Sequence, residues 1–319
     1  MDLPLPLYTR ALLQMWGFGS AELTASVEIG LLERLRPGIY TLGETWMSAT
    51  PEERVVTRAQ ALLAISRTSP LFSHETAAAI QGLPLFAADP RLLHTIVDAG
   101  RPGSTSGVIR HRGEVSPDEV CTVDGLRCTT LVRTISDMAR TATFEQSVTA
   151  TDAALRSMCT PARGVYDSEG ASEFCRQALR SAKRSAHGIS RAERVLRFAD
   201  GRAQLPGESV SRVRLAELGF RRPRLQVAVP APRGQADYIV DFGLDDVGAF
   251  GEFDGRIKYE DGRILVERSA DEVFDREKQR EDWIRGTTGR RVVRWGWPHI
   301  RTAATLADRL AAFGIRPLA

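Results

Sequence analysis

The chain has 319 residues, of which 43% are hydrophobic and 26% charged, with a formal net charge of +3. That length supports two or three domains with real cores, and the mildly basic balance permits a nucleic-acid partner without demanding one. No apolar run approaches the roughly 18 residues of a membrane span, and MDLPLPLYTR lacks the basic-then-apolar order of a secretory signal, so neither is expected. No glycine-rich loop ends in Lys-Ser or Lys-Thr, which argues against an NTPase. Cys121, Cys128, Cys159 and Cys175 form no C-x-x-C pair and read as free thiols in a reducing cytoplasm.

Residues 7–43 predict a small winged helix within a first domain at 1–48. LYTRALLQMWG is an apolar-periodic helix. Ser20 is the expected cap of a second helix, SAELTASVEIG, which stops at Gly30. LLERLRPGIYTLG reads as two short strands around Arg36-Pro37-Gly38, the tip of a wing. In such units a helix enters the major groove and wing residues, here Arg34 and Arg36, lie near phosphate. The alternative is a docking cap, because the second helix is poor in Arg, Lys, Asn and Gln. Gly17, Phe18, Glu22, Leu23, Gly30, Gly38 and Tyr40 follow a spacing that resembles the N-terminal domain of the AbiEi family of abortive-infection antitoxins. The resemblance implies an operator or toxin partner, and it extends into the α+β region at 49–160.

That region opens with TPEERVVTRAQALLAISR (50–67), a helix with Thr50 as N-cap, Pro51 first and Glu53 third. FSHETAAAIQGLPL (72–85) predicts a second helix opened by Ser73, and its His74 reads as part of a helix start rather than as a catalyst. From 91 to 137 the pattern changes to short strands carrying Arg101, Arg110, His111 and Arg112, which read as a solvated sheet edge, with contact to nucleic acid or a partner protein as the alternative. LVRTISDMART (131–141) and FEQSVTATDAALRSM (144–158) are helices expected to cover that sheet. CTPARGVYDSEG (159–170) is rich in turn formers and reads as the linker to a domain at 171–319. The segment 171–202 is helical and basic. Its Arg184, Arg191 and Arg194 are candidates for neutralising phosphates, against the alternative of a solvated face.

The stretch 236–258, ADYIVDFGLDDVGAFGEFDGRIK, predicts two strands joined by a tight turn. Alternation puts Glu252 and Asp254 on one face, and pairing brings Asp241 opposite them. Three carboxylates on one face repel unless a cation sits between them, and hard oxygen ligands suit Mg2+ or Mn2+. A helix, PGESVSRVRLAELGF (206–220), precedes the strands with Glu208 in its first turn. Another, EVFDREKQREDWIRGTTG (272–289), follows them, and RRVVRWGWPHI (290–300) adds a short buried strand.

Asp241, then Glu252-Phe253-Asp254-Gly255, then an acidic and basic helix, then Val292 to Trp297 resemble the PD-(D/E)XK nuclease superfamily over roughly 203–300. The branch they resemble is that of the very-short-patch-repair endonucleases. The resemblance implies a restriction-endonuclease-like αβββαβ core in a mixed α/β and α+β multidomain chain. It implies duplex DNA as substrate, in phage defence or DNA repair, with Glu208, Asp241 and Glu252 as metal ligands. Asp254 stands where the motif has lysine, so Lys258 or Lys278 is expected to supply the missing charge. Arg280, Arg285 and Arg294 would position the strand, and His299 is a lesser candidate for proton transfer. The alternative is a non-catalytic regulator of AbiEi type with a degenerate nuclease fold.

Overall fold

The computed structural model describes residues 5–97, 103–160, 165–255 and 270–318. The described residues form twelve α-helices and three sheets, a mixed α/β chain. It divides into two compact units, Met1–Ala199 and Asp200–Ala319.

The first unit opens with β1 (Tyr8–Thr9), α1 (Arg10–Met15), α2 (Ser20–Glu28), β2 (Leu32–Arg36) and β3 (Ile39–Leu42). The strands pair antiparallel in the order β1-β3-β2, and Leu13, Leu23, Leu32 and Tyr40 close a small core over them. Two starts differ from the sequence reading. Tyr8 and Thr9 are strand, and the Thr9 hydroxyl caps α1 by accepting from the Leu12 N–H at 3.2 Å. Ser20 lies inside α2; Gly19 holds the cap position, and the Glu22 carboxylate accepts its N–H. Gly30 stops the helix with φ +75°, a conformation that favours glycine.

After α3 (Gly43–Ser48), α4 (Pro51–Ile65) starts on the expected capping box. The Thr50 hydroxyl accepts from Glu53 N–H at 3.2 Å, and the Glu53 carboxylate accepts from Thr50 N–H at 2.6 Å. Then come β4 (Leu71–Phe72), α5 (His74–Ile80), β5 (Leu93–Val97), β6 (Gly103–Thr105), β7 (Val108–Arg112), β8 (Val120–Val123) and β9 (Leu126–Thr129). These six strands form one sheet in the order β6-β7-β5-β4-β9-β8. Residue patterning misses β4, which is two residues long, yet it joins the halves by pairing antiparallel with β5 and parallel with β9. Arg101 lies outside the described residues.

Helices α6 (Leu131–Thr141), α7 (Phe144–Cys159), α8 (Ser168–Ala182) and α9 (Ile189–Phe198) complete the unit. The expected boundary at 159–170 moves. Ala171, Phe174, Ala178 and Leu196 belong to the same apolar core as Phe72, Leu93, Ile135 and Leu155. The basic helices are therefore part of the first unit. Burial of their apolar stripes binds them to it, and a turn-rich loop between α7 and α8 does not separate them.

The second unit contains α10 (Pro206–Glu217), β10 (Arg224–Val229), β11 (Tyr238–Leu244), β12 (Ala249–Phe253), α11 (Ala270–Thr288), β13 (Arg291–Trp295) and α12 (Ala303–Ala311). Its sheet runs β10-β11-β12-β13, antiparallel through the first two pairs and parallel between β12 and β13. The turn between β11 and β12 is a short 3-10 segment, Asp245–Val247, closed by Gly248 at φ +59°. Trp295, 1% exposed, stacks on Phe242 and donates from its indole N–H to the Ser211 hydroxyl at 2.8 Å, tying sheet to helix.

Candidate active site

Register places the acidic residues. The β11–β12 pairs run Leu244–Ala249, Gly243–Phe250 and Phe242–Gly251, so Asp241 and Glu252 come next. Glu252 pairs in turn with Arg294 on β13. On the other side, Leu225–Phe242 and Val227–Val240 bracket Gln226 and Asp241. Gln226, Asp241, Glu252 and Arg294 thus stand at one level across the four strands, each half-buried between buried neighbours.

Contacts link this row. Asp241 Oδ2 accepts from the Phe253 N–H at 2.7 Å. Gln226 hydrogen-bonds Asp241 and donates from Nε2 to Glu208 Oε2 at 3.1 Å. Glu208 Oε2 also takes the Gln204 N–H at 2.8 Å, and the residue is 2% exposed. Gln226 holds φ +50°, a strained backbone for a non-glycine residue of the kind that gathers at functional sites. Burial, then the nearby Glu252 charge, pushes the Asp241 carboxyl up to about 6 against the pull of the Phe253 N–H. Glu252 is bracketed by guanidinia: Arg280 bonds one oxygen and Arg294 Nε lies 3.0 Å from the other. Glu277 bridges Arg280 and Arg294 from α11, and Glu281 lies 3.5 Å from Arg294.

The structure brings Asp241 and Glu252 together as expected. Glu208 connects to them through Gln226, a residue the sequence reading passes over because its strand, β10, is not recognised from residue pattern. Among the described residues, no group of three carboxylates is arranged to hold a metal ion. Asp254 follows the strand, and its N–H donates to the Trp295 carbonyl at 2.8 Å. Lys278 is exposed on α11, one position from the inward-working Glu277, and Lys258 lies outside the described residues. Arg285 pairs with Glu281. His299 Nδ1 accepts the Gly296 N–H at 3.1 Å, a turn-closing contact.

The expected phosphate-facing arginines of the first unit are differently employed. Arg34 is exposed, but Arg36 is half-buried and donates to the Ser106 carbonyl at 2.5 Å. Arg191 donates to the carbonyls of Thr141 and Ala142, and Arg194 lies over the Phe144 ring at 4.2 Å. Both therefore hold α9 against its neighbours. Arg184 pairs with Glu119 at 3.0 Å.

The first unit also holds a cluster absent from the sequence reading: His74, His94 and His111, whose nearest ring nitrogens lie within 4.8 Å of one another. They come from the start of α5 and from β5 and β7, strands that pair in parallel with His94 beside Ile109. No spacing in the chain announces three histidines brought together by sheet pairing.

No family model matches the chain, and no curated protein matches it. Among solved structures it is similar to the RV2827C protein from Mycobacterium tuberculosis, at 13% identity and a TM-score of 0.36. That match covers 61% of this chain and 77% of the other, a likeness too distant to carry an argument about activity. No helix among the described residues is long and apolar enough to cross a membrane.

Proposed function

We propose that the chain is a DNA-binding protein whose second unit is a metal-dependent endonuclease of the PD-(D/E)XK type, with residues 7–43 serving as a winged helix on duplex DNA. The observation that carries the nuclease reading is the adjacency of Asp241 and Glu252, one step beyond the Phe242–Gly251 pair of neighbouring strands, where burial and then the Glu252 charge raise the Asp241 carboxyl. The α10-β10-β11-β12-α11-β13 order is the one the resemblance calls for.

Two neighbouring carboxylates supply the hard oxygen ligands that suit a divalent cation, so Asp241 and Glu252 would hold Mg2+ or Mn2+. Such an ion supplies a bound water of lowered pKa and offsets charge on the attacked phosphate. Gln226 and Glu208 fix the orientation of Asp241 from behind. Arg280 and Arg294 already stand at Glu252 and can turn guanidinium N–H groups to a phosphate, standing in for the lysine that Asp254 replaces.

The test is cleavage of plasmid and synthetic duplex by the full chain with Mg2+ or Mn2+. Asp241→Asn is expected to lose about 100-fold or more of the rate while still binding DNA, because shape is kept and charge is lost. No cleavage by the wild type, or equal cleavage by the variant, would overturn the nuclease reading. The two guanidinia on Glu252 and the Asp at 254 favour a second reading, a non-catalytic regulator. A salt-dependent shift of promoter DNA without cutting would select it.

A further inference from the structure

Three elements of the first unit meet at imidazoles. β5 and β7 pair in parallel with His94 level with Ile109 and Ile96 level with His111, so His94 and His111 lie on one face of the sheet. His74 reaches them from the start of α5, its ring centroid 3.6 Å from that of His111 and 5.8 Å from that of His94. His94 Nδ1 and His111 Nε2 stand 2.9 Å apart, and Glu75 Oε2 lies 3.5 Å from His94 Nδ1. Two nitrogens on one tetrahedral zinc stand roughly 3.3 Å apart, a spacing those two distances bracket.

The cluster is buried, and its own hydrogen bonds do not satisfy it. His74 is 4% exposed, and the side chains of His94 and Glu75 are 13% and 16% exposed. Glu75 Oε2 is buried with no hydrogen-bond partner, a costly state for a carboxylate oxygen. Burial raises the Glu75 carboxyl, holds His94 and His111 down at about 4, and lowers His74 as well. The imidazoles are therefore neutral near pH 7, the form that offers a lone pair to a metal. Ser73 Oγ, which the sequence assigns to a helix cap, bonds His74 Nδ1 at 2.9 Å instead. That bond orients the ring and directs Nε2 to ligand duty, the support from behind that metal-bound histidines ordinarily have. His74 also holds φ +51°, a strained backbone in a buried residue.

Two features oppose an ion, and the surroundings answer both. The His74 and His111 planes lie 17° apart in a stack, so one ring must turn before their lone pairs converge. His111 borders a cavity of about 490 Å³, which gives its ring room to turn and an ion a way in. The same cavity carries guanidinia. Arg133 and Arg140 are tied to Asp137 at 3.0 and 3.3 Å, and Glu119 holds Arg133 at 2.9 Å and Arg184 at 3.0 Å. Those carboxylates offset the repulsion a cation would meet, and Arg110 and Arg112 are exposed, where water and salt screen them.

We propose that His74, His94 and His111 form a zinc site, with the Glu75 carboxylate beside them balancing part of the ion's charge. Imidazoles with one carboxylate suit Zn2+, whereas Mg2+ and Mn2+ favour sets of oxygens. The ion would join α5, β5 and β7, so binding to the folded chain stabilises the unit. The site does not rest on the nuclease reading, since every residue in it belongs to the first unit.

The test uses the full chain stripped with EDTA and dialysed into excess Mg2+, which fills hard oxygen sites. Calorimetry with Zn2+ is expected to show one equivalent bound with Kd below about 1 μM, and the melting temperature to rise with it. Co2+ in place of zinc is expected to give the intense visible absorption of a four-coordinate ion. His111→Gln should weaken Zn2+ binding about 100-fold or more, and Glu75→Gln about tenfold or more. Asp241→Asn should leave it unchanged, which separates this site from the acidic pair of the second unit. The cobalt spectrum is read on the unaltered chain, so it decides even where a variant fails to fold. Absence of that one equivalent, a six-coordinate cobalt spectrum, unchanged affinity in folded His111→Gln, or loss of zinc in Asp241→Asn would each overturn the proposal. So would a sulfur-to-cobalt charge-transfer band, which would put the ion at Cys121 and Cys128, whose sulfurs are 3.5 Å apart.

Discussion

Asp241 is the residue whose ionisation the fold works against. Its ordinary value is 3.8, and burial with Glu252 beside it raises this to about 6. The unfolded chain therefore releases this proton first as pH rises. Stability falls between those two values, and the full cost is present above about 6. Asp241→Asn keeps the shape and removes the charge. In EDTA at neutral pH it is expected to raise the melting temperature by about 2–4 °C, and to give no gain on the acid side of the ordinary value. Thermal unfolding across that window measures it. A variant less stable at neutral pH would mean that the bond from the Phe253 N–H outweighs burial and repulsion.

At the scale of elements, two glycines let helix and strand approach closely around this site. A Cβ at Gly207, next to Glu208 in the first turn of α10, would meet the Phe253 ring at 2.0 Å. One at Gly251 would meet the Trp295 ring at 2.2 Å. Phe253 follows Glu252 on β12, so the Gly207–Phe253 contact sets the distance at which Glu208 reaches Gln226. Gly207→Ala should push α10 off the sheet and cost about 1–3 kcal/mol, as overpacking of a filled core does. Denaturant unfolding reads this directly, and an unchanged midpoint would mean that the helix end slides without penalty. The same scale explains the basic helices. Arg176 and Arg180 pair with Glu173, Lys183 lies 3.8 Å from Glu193, and Arg191 and Arg194 dock α9. A count of basic residues overstates the charge left for phosphate when stems and heads serve packing.

For the whole molecule, the division at Ala199 has a consequence for fragments. Cutting after residue 160 removes α8 and α9 and strips cover from a core shared with Phe72, Leu93 and Ile135. A fragment of residues 1–199 should therefore unfold cooperatively, whereas 1–160 should aggregate or lose its near-ultraviolet dichroism. Circular dichroism and sedimentation of the two fragments decide this. A well-folded 1–160 fragment would restore the boundary read from the turn-rich loop.

Local chemistry decided much of this protein. The capping box at Thr50, the helix stop at Gly30, the strands around Asp241 and Glu252 and the helices on either side of them rest on periodicity, caps and turn residues, which act within a few positions of the chain. The opposition of Asp241 and Glu252 was also legible, because a short turn fixes hairpin register. Beyond that range the sequence is silent. Gln226 joins the acidic row by the pairing of β11 with β10, a strand whose Leu225, Val227 and Val229 alternation the sequence reading passes over, and Arg294 joins it by a parallel pairing across the intervening α11 segment. His74, His94 and His111 meet because β5 and β7 lie side by side with α5 above them. Of the arginines thought to seek phosphate, Arg36, Arg184, Arg191, Arg194, Arg280 and Arg294 found carbonyls, carboxylates and a phenyl ring within their own unit. Which partner a long polar side chain takes depends on which surfaces tertiary packing brings within its reach, and no local rule encodes that.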